Sequence, residues 1–134
     1  MQTSRIAILL GAFFSSLAGA AMAEPWMPDQ PTIAKLEASL QIPDWGRSTQ
    51  YPDGHVPAVS EFARYYTGDA FDGRKMVFAE LVSLDKGPEF EPGIHLVNSV
   101  AAFPGIEDGG CHVVSLVYDV DQDCVIGMRC NATT

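Results

Sequence analysis

The sequence predicts an α+β protein, with one or two N-terminal helices packed on a four-stranded antiparallel meander sheet. Three observations predict it. Apolar residues recur at helical spacing only before Gly68, and a period of two governs the chain after Asp72-Gly73. The loops between the later apolar runs are too short to carry βαβ crossovers, which makes the sheet antiparallel. Helices first and strands after is the order of an α+β domain.

Residues 1–23 read as a secretory signal peptide. Arg5 supplies the charged start, residues 6–20 are apolar or small, and Ala21-Met22-Ala23 offers the small residues that signal peptidase reads. The run is shorter than the roughly 17–25 residues that span a bilayer, so a membrane anchor is not expected. No cysteine follows the cleavage point, as a lipoprotein would need. Residues 24–134 are then one α+β domain of 111 residues. Its compartment is expected to be the periplasm or the exterior, where cysteines pair.

Residues 24–30, with Pro25, Trp26 and Pro28, form an extended lead-in. Residues 31–40 predict a first helix, with Ile33, Leu36 and Leu40 on one face and Pro31 in the first turn, where its missing N–H is no loss. Residues 41–55 are rich in Pro, Gly and Asp and read as a loop carrying Trp45 and Tyr51. Residues 56–66 predict a second helix from the spacing of Val59, Phe62, Ala63 and Tyr66, with Gly68 as its C-terminal cap.

Strands follow at residues 75–84 and 93–100, joined by an acidic hairpin loop at 85–92. Residues 101–110 form a second loop. Residues 109–131 predict the closing hairpin, with Cys111, Val113, Ser115 and Val117 on one face of its first strand and Val114, Leu116, Tyr118 and Val120 on the other. A four-residue loop at 119–122 sets Tyr118 opposite Asp123 and Cys111 opposite Cys130, so these cysteines are expected to pair. Cys124 and Cys130 stand six positions apart on one strand, roughly 20 Å, and cannot bond while it is straight. Cys111–Cys124 remains open through a slipped or bulged hairpin. The odd thiol, Cys124, is free or links two chains into a dimer.

Phe62-Ala63-Arg64-Tyr65-Tyr66, Asp72-Gly73-Arg74, Asp108-Gly109-Gly110-Cys111 and Cys130-Asn131 resemble landmarks of uncharacterised small secreted proteins of proteobacteria. The resemblance covers roughly residues 56–131. It implies a periplasmic location and paired Cys111 and Cys130, with Cys124 an addition to the pattern. It transfers no catalytic residue.

Charge narrows the functional classes. The chain carries a net −9, and loss of Arg5 with the signal peptide takes it to −10. Such a surface works against nucleic acid and anionic membranes, both of which need Lys and Arg to displace counterions. Asp119, Asp121 and Asp123 repeat the D-x-D-x-D of a calcium loop. Positions 6 and 12 counted from Asp119 hold Cys124 and Cys130 instead of Gly and Glu, so a solvated turn is expected and no metal or cofactor. His55, His95 and His112 show no i, i+4 pair, and no Ser lies in a G-x-S-x-G elbow. Asn131-Ala132-Thr133 has the form of a glycosylation sequon and is read as chance.

The expectation is therefore a non-catalytic domain that binds another protein or an envelope component, through the helix-free sheet face or the 85–92 loop. The alternative is a small hydrolase or isomerase centred on His95 and His112.

Overall fold

Asp29 starts the helix α1 (Gln30–Ser39). Its carboxylate accepts from the Thr32 backbone N–H at 2.9 Å and the Thr32 hydroxyl at 2.6 Å, which satisfies a donor the first turn leaves orphaned. Ile33, Leu36 and Leu40 are buried, as their spacing predicts. This computed structural model describes residues 25–42 and 56–131. The predicted signal peptide with its cleavage after Ala23, the loop residues Trp45, Tyr51 and His55, and the last two residues of the Asn131 sequon lie outside the described residues. No helix among the described residues is long and apolar enough to cross a membrane.

The predicted second helix is replaced by a strand. Residues Val59–Glu61 make one 3-10 turn, after which the chain extends as β1 (Phe62–Phe71). The misleading signal has a physical origin. Phe62 and Tyr66 are buried on the α1 side of the sheet, while Ala63 and Thr67 are buried on the other, so burial falls on pairs four residues apart. A strand covered on both faces thereby imitates a helical period. Gly68 caps no helix. It lies within β1, where an added Cβ would fall 2.5 Å from the Trp26 carbonyl oxygen and 2.9 Å from Pro28 Cδ, because the lead-in passes close over it.

Asp72 and Gly73, both at positive φ, turn the chain into β2 (Arg74–Ser83), which pairs antiparallel with β1. From the end of β2 the chain steps past β1 and returns as the short β3 (Gly93–Leu96), parallel to β1 on its far edge. β4 (Val113–Asp119) pairs with the free edge of β2, and β5 (Cys124–Cys130) with β4. The order is β3-β1-β2-β4-β5.

The architecture is thus α+β with one described α-helix on a five-stranded mixed sheet, in place of the expected four-stranded antiparallel meander. Both differences follow from β1. As a strand it adds a member to the sheet, and its open edge accepts β3 in parallel. Residues 85–92 consequently connect strands that are not neighbours and form no hairpin loop. The strand predicted at 93–100 ends at Leu96, and Val100–Ala102 forms a 3-10 turn.

One face of the sheet packs on α1. Phe62 and Tyr66, Val77, Ala79 and Leu81, and Val114, Leu116 and Tyr118 meet Ile33, Leu36, Leu40 and Ile42 there. Burial of each large aliphatic side chain contributes about 1.5–3 kcal/mol.

In the closing hairpin the faces of β4 are as expected, but the register differs. The loop is Val120–Asp123, so Asp119 faces Cys124, and an irregularity between Val117 and Tyr118 sets Val114 opposite Cys130. Cys111 lies two residues before β4, in the 3-10 turn Gly110–His112. That turn brings it to Cys130 at a Cα separation of 4.6 Å, and the Cys111–Cys130 disulfide forms. The Asn131 N–H, shared between the Gly110 and Val113 carbonyls at 3.1 and 2.9 Å, holds the turn against the end of β5. The pairing is as predicted; the opposition that motivated it is replaced by a turn. Cys124 is free and exposed.

Candidate functional site

The sheet face away from α1 carries a row of polar residues in register. His95 of β3 lies beside Tyr65 of β1, Tyr65 beside Glu80 of β2, Glu80 beside Ser115 of β4, and Ser115 beside Arg129 of β5. At one end the Tyr65 and His95 rings stack, with centroids 4.9 Å apart and planes 22° from parallel. His95 Nε2 sits 2.8 Å from the Glu91 carbonyl oxygen, which fixes the ring. Burial raises the pKa of the Tyr65 hydroxyl, and the charges of Glu80 and Glu91 raise it further.

Glu80 is the centre of the row and is only 9% exposed. Its Oε1 accepts from the Gly105 N–H at 3.1 Å, and the Ile106 N–H also bonds to it. The loop after β3 is thereby anchored over the sheet. The Asn131 side-chain amide donates to the Ile106 carbonyl and holds the same loop from the other side. Between loop and strands lies a cleft of about 570 Å³, walled by Phe78, Val117, Val100 and Phe103 and bordered by Glu80, Ser115 and Arg129. Its floor at β5 is open, because Gly127 lines it and an added Cβ there would meet nothing within 4 Å.

Burial lifts the Glu80 carboxyl above its ordinary value of 4.5 against the pull of the two backbone N–H groups. A carboxyl whose folded pKa is raised favours folding when protonated, and that contribution is lost as pH rises through the folded pKa. Glu80→Gln keeps an oxygen for Gly105 and removes the buried charge. It should therefore raise the melting temperature at neutral pH, with the gain vanishing below about pH 4, where Glu80 is protonated folded or unfolded. Thermal melts of both proteins across this range check it.

The other sequence candidates are dispersed. His95 belongs to β3 and His112 to the turn leading into β4, with β1 and β2 between those strands. Three strand spacings amount to about 14 Å, so the two imidazoles do not share a site. His55 lies outside the described residues.

Of the three turn aspartates one, Asp119, is buried, while Asp121 and Asp123 are exposed. Asp119 is fully buried and accepts from the Gln122 N–H at 3.0 Å and from the Arg74 guanidinium, which together hold its pKa below the usual range. Asp123 accepts from the Tyr118 hydroxyl and pairs with Lys35 Nζ at 3.3 Å, and these contacts lower its pKa likewise. Burial, then the bond to Asp123, pushes the Tyr118 hydroxyl up to about 12. The turn itself is solvated as expected from sequence, with Asp121, Gln122 and Asp123 exposed, but the Asp119 and Asp123 carboxylates are committed to protein donors. Among the described residues no group of three or more His, Cys, Asp and Glu is placed to hold a metal ion.

A second concavity of about 370 Å³ lies between α1 and β3, lined by Ile33, Ala34, Glu37, Ile94 and Leu96. It lacks the convergence of strands that the first cleft has.

Sequence reasoning singled out neither Glu80 nor Arg129. The signal for Glu80 was visible, as a lone charge within the apolar run from Met76 to Leu84. The positions of Ser115 and Arg129 beside it depend on the register of three strands. No protein-family model, no curated protein and no solved structure matches this chain.

Proposed function

We propose that this is a secreted or periplasmic, non-catalytic domain that binds another protein or an envelope component through the cleft on the sheet face away from α1. The observation that carries the reading is the cleft of about 570 Å³ between β2, β4, β5 and the loop bearing Phe103. Its size falls within the range of ligand sites, and apolar walls with a few converging polar groups are what such sites share. The location draws support from the Cys111–Cys130 disulfide. It draws further support from the export-like N-terminus and from the resemblance to small secreted proteins of proteobacteria. The net charge of −9 favours a protein or neutral surface over nucleic acid as the partner.

A photo-crosslinking residue at Val117, inside the cleft, tests the reading in cells against one at Glu89 in the 85–92 loop. One dominant, identifiable adduct from position 117 is expected, and Gly127→Trp should abolish it. The open space at Gly127 allows the indole to fill the cleft without strain in β5. Adducts only from position 89 would move the binding surface to the acidic loop, and adducts from neither would overturn the proposal.

A further inference from the structure

Resting on the reading of this cleft as a binding site, we infer that its occupant is a basic side chain of a partner polypeptide, with Glu80 as its counter-ion. Glu80 is a carboxylate removed from water beside a cavity, with Phe78 two residues away on the same face and Phe103 opposite on the loop. A carboxylate has about four lone-pair sites, and two are taken by the Gly105 and Ile106 N–H groups. Among the described residues no Lys or Arg pairs with it. Arg129, the basic residue of its row, stands two strand spacings away, about 10 Å, and is exposed.

Two aromatic walls beside a carboxylate that no described Lys or Arg neutralises are the chemistry that receives an ammonium or guanidinium group. The surroundings extend the preference to a polypeptide. Exposed Glu89 and Glu91 precede β3, and exposed Glu107 and Asp108 follow the loop that covers the cleft. A chain of net charge −9 steers a basic partner toward it.

The competing role for Glu80 is structural, as an acceptor that merely anchors the 103–106 loop. Glu80→Gln separates the two, because the amide oxygen can still accept from Gly105 while the charge is gone. The experiment is an NMR titration of the ¹⁵N-labelled full chain with the peptide Ac-Phe-Arg-Phe-NH₂, its citrulline and glutamate analogues, and phenethylammonium. Amide shifts are expected in β2, β4, β5 and the 103–106 loop with the arginine peptide. The citrulline peptide should bind at least about tenfold more weakly, the factor one charge-assisted hydrogen bond is worth. In Glu80→Gln, folded as judged by its spectrum, the arginine and citrulline peptides should become equivalent.

Equal binding of the two peptides to the wild type, abolished by Gly127→Trp, would overturn the cation while leaving the cleft as a binding site. Phenethylammonium binding as tightly as the arginine peptide would overturn the polypeptide and make the cleft a small-amine site. No shift with any probe at millimolar concentration would overturn the inference, and the crosslinking result would then judge the cleft separately.

Discussion

Cys130→Ala should lower the free energy of unfolding by about 3 kcal/mol, a large share of the roughly 5–15 that holds a domain folded. The bond spans 19 residues and closes the hairpin at its open end. In the chain-entropy model its loss frees the unfolded chain most, and the native state also loses the clamp that keeps the Gly110–His112 turn against β5. Cys111→Ala should match it, and the double substitution should cost little more than either, because both remove the same bond. Cys124→Ala is the control. That thiol is exposed and free, so its removal should change stability by no more than about 0.5 kcal/mol. Urea unfolding at equal protein concentration measures all four. A Cys124→Ala loss as large as that of Cys130→Ala would refute the assignment of the stabilising bond to 111–130.

Glu37→Ala should be comparably damaging, although Glu37 forms no part of the apolar core. From α1 its carboxylate accepts from Arg64 Nε at 2.6 Å and from the Tyr66 hydroxyl at 2.8 Å. The Arg64 and Glu37 side chains are 13% and 19% exposed, and Tyr66 is fully buried. Burial, then the bond to Glu37, raises the pKa of the Tyr66 hydroxyl, so it remains a neutral donor throughout the range of ordinary assays. Truncating Glu37 leaves the buried Tyr66 phenol without its acceptor and the Arg64 charge uncompensated, with only the Val59 and Phe62 carbonyls at 3.3 and 3.4 Å as partners of its Nη1, and breaking such a pair from one side costs about 3 kcal/mol. The melting temperature should fall by roughly 10 °C. Tyr66→Phe, which removes the orphaned group itself, should cost only about 1 kcal/mol. In the Glu37→Ala background it should cost less still, so the double-mutant cycle should show coupling. Strict additivity would mean that the helix and β1 are held by packing alone.

What the residues by themselves determined is local. Pro31 and the spacing of Ile33, Leu36 and Leu40 sufficed to place α1, because a helix is closed by contacts three and four residues apart. Alternation between Val113 and Tyr118 sufficed to sort the two faces of β4. The inability of Cys124 and Cys130 to meet on one strand excluded that pairing, while the choice of Cys111–Cys130 over Cys111–Cys124 rests on the Gly110–His112 turn.

The tertiary structure decided everything that depends on which surfaces meet. Residues 62–67 carry apolar groups in a spacing that serves a helix with one buried face or a strand with two. Only the packing of α1 and the lead-in on one side, with burial of Ala63 and Thr67 on the other, selects the strand. Once β1 is a strand, its vacant edge draws β3 into parallel pairing, which no pattern within residues 93–96 could reveal. The candidate site depends on the same non-local choices. Glu80, Ser115 and Arg129 are separated by 35 and 14 positions in the chain and become neighbours only when the registers of β2, β4 and β5 are set. Those registers are set by burial of Val77, Leu81, Val114 and Tyr118 on the opposite face, because a one-residue slip would turn every one of those side chains outward.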